Sequence, residues 1–224
     1  MKTLTKIVNQ RLAVIAGLIF ALGLCSPLGV GCASNKPPKL SGFLGDYSGL
    51  KPLPDDPSML YWERSGVNWK KYTKLMIDPV AVRLAPGAKK YDIPPQDLQK
   101  LAEMFRTEAV AAVRDAYPVV DQPGPDVMRI RAAITDANPS DALMNVVSAA
   151  AIFMPIDMGG ASMETEFLDS MTGERLAAAV DKKSGSMANP IDMGAYTKWG
   201  HAKKAFQQWA KELRDNMDEI HGKK

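Results

Sequence analysis

Apolar and polar positions follow two different periods along the chain, and the changes of period divide it into elements. Leu98, Leu101, Ala102, Phe105, Ala109, Ala112, Val113 and Ala116 recur at spacings of three and four, which predicts an amphipathic helix with one buried face. Pro94 and Pro95 stand where a first helical turn tolerates proline, and Asp97 suits the positive end of the helix dipole. A second such stripe, Trp199, Ala202, Phe206, Trp209, Leu213, Met217 and Ile220, closes on His221 and Gly222.

Elsewhere the period is two. Met128, Ile130, Ala132 and Ile134 alternate with Arg129, Arg131 and Ala133, giving a strand with one wet face. Met163, Thr165 and Phe167 alternate with Glu164, Glu166 and Leu168, and Leu176, Ala178 and Val180 alternate with Arg175, Ala177 and Asp181. Between them Gly173 can take positive φ, so the pair predicts a β-hairpin. Residues 74–82 are β-rich, and Pro79 inside them argues for a sheet edge or a bulge. The order strand, helix, strand, apolar segment, hairpin, helix predicts an α/β (α+β) sandwich. Its mixed or mostly antiparallel sheet is packed by two amphipathic helices.

Residues 142–156 are almost wholly apolar and too few to span about 30 Å of hydrocarbon. They read as a buried helix or a segment that faces a partner. Residues 33–57 are rich in proline and glycine, so their first part reads as a tether. Phe43, Leu44, Tyr47 and Leu50 are too apolar for a free linker, and residues 41–50 are expected to lie against the folded unit.

The N-terminal part changes the picture of charge. The chain of 224 residues has 28 Lys and Arg against 25 Asp and Glu, yet Lys2, Lys6 and Arg11 fall in the first 31 residues, which hold no acid. The remainder has 25 of each sign. With no basic excess, nucleic-acid binding loses its main driving force. At 46% hydrophobic and 24% charged, the rest has the composition of one ordinary folded domain. A basic flank, an apolar run from Leu12 to Leu24 and then Ser26-Pro27 predict a secretory signal peptide. The expected organisation is a leader at 1–31, an acylated cysteine with tether and docking segment at 32–57, and a single periplasmic α/β domain at 58–222.

Leu28-Gly29-Val30-Gly31-Cys32-Ala33-Ser34 resembles the lipobox of bacterial lipoproteins, in which small residues precede a cysteine that becomes the acylated N-terminus. Cys25 fits less well, because the large Leu24 precedes it. The resemblance makes Cys32 the site of lipidation, by diacylglycerol on sulfur and a palmitate-type acyl chain on nitrogen. Several chains hold a protein on a bilayer where one would not. Ala33, in the position that directs sorting in such lipoproteins, implies an outer-membrane anchor facing the periplasm. Cys25 would leave with the leader, so the mature chain would carry no free thiol.

Three separated motifs keep one order: Ser41-Gly42-Phe43-Leu44 with Asp46-Tyr47 and Leu50; Tyr72-Thr73-Lys74 leading to Ile77-Asp78-Pro79-Val80; and Glu164-Thr165-Glu166 leading to Asp169 and Thr172-Gly173-Glu174-Arg175-Leu176. Together, over roughly residues 40–210, they are similar to bacterial lipoproteins grouped as domain of unknown function 3313. That resemblance implies an envelope lipoprotein and brings no assigned activity, cofactor or catalytic residue.

Candidate chemistry is sparse. His201 and His221 are expected on the surface, which leaves a Ser, His and Asp constellation without its base. Glu164 and Glu166 share one strand face about 7 Å apart, the arrangement of an acid/base pair, but they read as the solvated face of an antiparallel strand. With Asp169 they would make an all-oxygen site suited to Ca²⁺ or Mg²⁺. Asp169 is better explained as the residue that opens the hairpin turn. No catalytic residue, metal site or cofactor is therefore expected. Arg129 and Arg131 could meet an anion, or balance Glu164 or Glu166 across the sheet.

Met144, Met154, Met158 and Met163 crowd around the apolar segment, as core filler or as an adaptable contact surface. Phe43, Tyr47, Met144, Ile152, Phe153 and Met154 form the candidate interaction surface; Phe43 and Tyr47, with Trp62 and Trp69, could equally pack on the sheet edge. The sequence thus favours a non-enzymatic, lipid-anchored outer-membrane lipoprotein that works through a protein partner in the cell envelope. A module binding lipid or a small apolar ligand is the alternative, and an envelope hydrolase the third reading. A ligand module predicts a closed pocket of several hundred Å³, a partner surface an exposed apolar patch, and an enzyme a cleft with a shifted carboxylate.

Overall fold

The computed structural model describes residues 39–54, 56–86, 93–138, 160–184 and 198–223. Seven strands and two long helices stand among these residues. The strands are β1 (Lys51–Pro52), β2 (Leu60–Glu63), β3 (Lys74–Ile77), β4 (Ala81–Val82), β5 (Val127–Asn138), β6 (Gly160–Asp169) and β7 (Arg175–Ser184); the helices are α1 (Pro95–Val113) and α2 (Gly200–His221). They form one mixed sheet of order β1-β2-β7-β6-β5-β3, with β4 also on β5. The expected α+β sandwich is the observed architecture.

Local chemistry sets each element. Pro95 opens α1 after the extended Pro94, and the buried residues Leu101, Ala102, Phe105, Ala109 and Val113 keep the predicted spacing. The helix stops at Val113, short of the predicted Ala116, whose N–H instead bonds back to the Val113 carbonyl at 3.1 Å. Gly222, at φ 67, ends α2 in the left-handed conformation, and its N–H reaches the carbonyls of Asp218 and Glu219. Pro79 falls in the gap between β3 and β4, and Asp78 N–H still bonds to the Ile130 carbonyl at 3.1 Å. Both short strands run parallel to β5, so α1 is the crossover that returns the chain. β1 and β2 were not legible, being two and four residues long with proline in β1.

The helices cover one face of the sheet. Phe105 stacks on Phe206 at 4.8 Å between ring centroids, and Trp209 leans on Phe105 at 5.4 Å. These rings meet Ile134, Ala137, Ala161 and Met163 of β5 and β6 in the main core. A polar tie joins the layers at the buried Asp181, which accepts from Trp209 Nε1 at 2.8 Å and pairs with Lys183 at 3.0 Å. His201 is buried at the start of α2, not on the surface as the sequence suggested. It lies one position from Ala202, inside the arc that packs on the sheet.

Candidate functional site

Side chains alternate across β6, so Met163, Thr165 and Phe167 face the helices while Ser162, Glu164 and Glu166 face the other way. That second face is not wet. Glu164 has no exposed surface and Glu166 very little, which corrects their reading as a solvated face. The cover is the segment 41–50, brought back over the sheet from about 120 positions away in sequence. Leu44 inserts against Ala178 and Val180 of β7, with Phe43, Tyr47, Leu50 and Leu60 around it. At Gly49 the strap passes so close to Trp62 that a Cβ there would lie 2.5 Å from ring atom Cδ1.

A buried carboxylate requires donors, and Glu164 finds three on the strap. Oε1 accepts Ser41 N–H at 2.5 Å, and Oε2 accepts Leu44 N–H at 3.3 Å and the Tyr47 hydroxyl at 2.6 Å. Burial, followed by that carboxylate's own hydrogen bond, holds the Tyr47 phenol above its ordinary range.

Glu166 is held by charge. Arg131 Nη1 reaches Oε1 at 2.5 Å, and Arg175 Nε reaches Oε2 at 2.8 Å. Arg175 also donates to the carbonyls of Leu44, at 2.5 Å, and Asp46, at 3.0 Å, so it ties the strap to the sheet. The Phe43 ring lies over the Arg131 guanidinium, 5.3 Å from its Cζ. Arg129 makes a two-pronged pair with Asp78, Nε to Oδ1 at 3.0 Å and Nη2 to Oδ2 at 2.8 Å. A row of charged groups, Asp78, Arg129, Arg131, Glu166 and Arg175, therefore runs from the residue after β3 across β5 and β6 to β7. The balancing role is the one observed, with Arg131 on Glu166 and Arg129 on Asp78.

Asp169 closes β6 and opens the turn, as its sequence position suggests. Oδ1 accepts the N–H groups of Met171 and Thr172, both at 3.0 Å, and Oδ2 accepts Lys71 Nζ and the Tyr72 hydroxyl, both at 2.9 Å. Gly173 takes φ 70 in the turn. Burial pushes the Asp169 carboxyl up, but Lys71, the Thr172 N–H, Tyr72 and the Met171 N–H together outweigh it and hold the group far below the usual carboxylate range. A carboxyl depressed in the folded state stabilises fully above its unfolded value of about 3.9, and that contribution is lost as pH falls further through the acid range. Melting temperature followed from pH 6 to pH 2 should accordingly fall less steeply for Asp169→Asn than for the natural chain. An equal slope would remove this account.

The remaining candidates divide by location. Phe43 and Tyr47 are half-buried in the strap contacts just described. Met144, Ile152, Phe153 and Met154, together with Cys32, lie outside the described residues. Asn138 and Gly160, which pair directly, mark where the chain carrying those four leaves and rejoins the sheet. His221 Nδ1 lies 2.8 Å from the Met217 carbonyl oxygen. Between sheet and helices is a cavity of about 60 Å³ lined by Ile77, Phe105, Met163, Phe167, Trp209 and Leu213. Ligand pockets hold about 300–1,000 Å³. Among the described residues no cluster of three His, Cys, Asp or Glu side chains could hold a metal ion, and no helix is long and apolar enough to cross a membrane.

Sequence reasoning missed the Glu164 clamp because its donors are backbone groups of a breaker-rich stretch. The available signal was the apolar content of that stretch together with two acids on a strand that also carries Met163, Phe167 and Leu168.

The family described as protein of unknown function (DUF3313) matches residues 39–213, from the start of the strap into α2. The chain belongs to this family. The three sequence motifs are thus the three pieces of one construction: strap, β3 edge and β6–β7 hairpin. This DUF3313 chain is 29% identical over 169 residues to the uncharacterized lipoprotein YdcL of Escherichia coli K12, covering 71% of this chain and 75% of that protein; the O157:H7 form gives the same values. Among solved structures, the PelC dodecamer from Paraburkholderia phytofirmans is 9% identical with a TM-score of 0.38, covering 73% of this chain and 97% of that one. A Xanthomonas campestris protein of the DUF330 family is 12% identical with a TM-score of 0.39, covering 68% and 86%.

Proposed function

We propose that this protein is a non-enzymatic lipoprotein, acylated at Cys32 and held on the periplasmic face of the outer membrane, with a structural or assembly role through protein contacts in the envelope. The observation that carries the reading is the clamp on Glu164. It fixes the chain at Ser41, nine residues after Cys32, and nine residues extend at most about 30 Å. A folded unit so tethered stays beside the bilayer, and a strap closed by buried hydrogen bonds is suited to holding an anchor. The lipoprotein relative in Escherichia coli supports the same reading.

The candidate carboxylates support a non-catalytic role. Glu164, Glu166 and Asp169 are each occupied by partners that hold the fold together. Contact with a partner is assigned to the sequence between Asn138 and Gly160, with Met144, Ile152, Phe153 and Met154 as its apolar groups.

The test compares the natural protein with Cys32→Ala in intact envelopes, by membrane fractionation, crosslinking and mass spectrometry of the mature N-terminus. The natural chain should carry acyl groups on Cys32 and sediment with outer membrane, whereas the variant should be released and lose its crosslinks. A variant that remains in the membrane with its partners rejects the proposal.

A further inference from the structure

We infer that the end of the domain where the tether joins it rests on a phospholipid surface, with Leu40, Arg83 and Leu84 as the groups in contact. The inference builds on the anchoring reading and adds an orientation to it. The sheet has two unlike ends. β4 and β5 run parallel, and the chain leaving β4 continues beside β5, with Arg83 N–H on the Ile134 carbonyl and Ala85 N–H on the Thr135 carbonyl, both at 2.9 Å. Ile134 pairs with Met163 near the start of β6, whereas the turn after Asp169 lies at the opposite end. The strap begins at this first end as well: Arg83 Nε donates to the Ser41 carbonyl at 3.3 Å. Leu40 and Leu84 therefore flank one hydrogen bond, each a single residue from a partner in it.

Three observations select lipid as the occupant. Among the described residues the exposed large apolar side chains are Leu40 at 40%, Leu84 at 43% and Met171 at 62%, and two of the three sit at the tether junction. The chain before residue 39 joins this same corner to Cys32, seven residues back, which is at most about 25 Å of chain. Arg83, exposed next to Leu84 in sequence and hydrogen-bonded to the residue after Leu40, carries the charge that phosphate headgroups attract. Two leucines and one cation would not recruit a free protein to a bilayer. On an anchored one they act at high effective concentration and need only set orientation.

The mature chain offers a direct test, because acylation of Cys32 and loss of Cys25 leave no other thiol. Leu84→Cys and Met171→Cys, each made in the full chain with its leader, are labelled with a nitrobenzoxadiazole fluorophore. The acylated products are reconstituted into vesicles of phosphatidylethanolamine and phosphatidylglycerol. The label at 84 should be quenched by headgroup-level spin-labelled lipid and be at least threefold less accessible to aqueous iodide than the label at 171. Leu40→Asp combined with the label at 84 should lower the lipid quenching by half or more.

Equal iodide access at 84 and 171 in protein that floats with the vesicles would overturn the orientation and leave the anchor standing. Protection at 84 that appears only with added envelope proteins would assign this end to a protein partner and overturn the inference. A chain that does not float, with an unmodified Cys32 by mass, would overturn both readings.

Discussion

Phe206→Ala is expected to lower unfolding free energy by about 3–5 kcal/mol, the usual loss for removing a buried aromatic. Phe206 is fully buried, stacks on Phe105, and has Trp209 at 6.1 Å, so the deletion opens a gap shared by both helices and the sheet. The site cannot collapse easily, because its neighbours are rigid rings on α1 and α2. Urea denaturation should give a lower midpoint with an unchanged slope. A midpoint within experimental error of the natural chain would show that Phe206 does not hold the helices on the sheet.

Glu164→Ala is the second large effect, and its signature is local. The variant leaves Ser41 N–H and the Tyr47 hydroxyl proton without their acceptor and Leu44 N–H with only the Tyr47 hydroxyl oxygen, at 3.2 Å, at a cost of about 2–4 kcal/mol. The strap can swing into water and hydrate those groups, so the loss should be expressed as detachment of 41–50 and not as collapse of the sheet. Amide exchange at Ser41 and Leu44 should accelerate by orders of magnitude while amides of β5 and β6 remain protected. Glu164→Gln retains one acceptor oxygen and should recover part of the difference. Protection at Ser41 and Leu44 that survives Glu164→Ala would show that Leu44 packing and Arg175 suffice to hold the strap.

The helices and the hairpin were legible because a single period runs through each. Leu98, Leu101, Ala102 and Phe105, at spacings of three, one and three, can share one face only on a helix, and Gly173 between two alternating runs marks a turn. Asp169 was legible for the same local reason. The burial of Glu164 and Glu166 was not, since alternation says which residues share a face and not what lies over it. Their cover arrives from the far end of the chain, and its ten residues have no period at all. His201 misled in a related way: it flanks the apolar stripe of α2, and the stripe does not say how wide the buried arc is. β1 and β2 are too short to show alternation; β2 exists because β7 offers it an edge, and β1 because β2 offers the next.

The site where the strap is fastened has a mechanical consequence. Tension on the chain ahead of residue 39 is delivered through Ser41 to Glu164, a central-strand residue with β5 on one side and β7 on the other. A pull there meets the hydrogen bonds of Ser41, Leu44 and Tyr47 to Glu164 before it can reach β1 at the rim. The rim is therefore spared strain for as long as the clamp at the point of suspension holds.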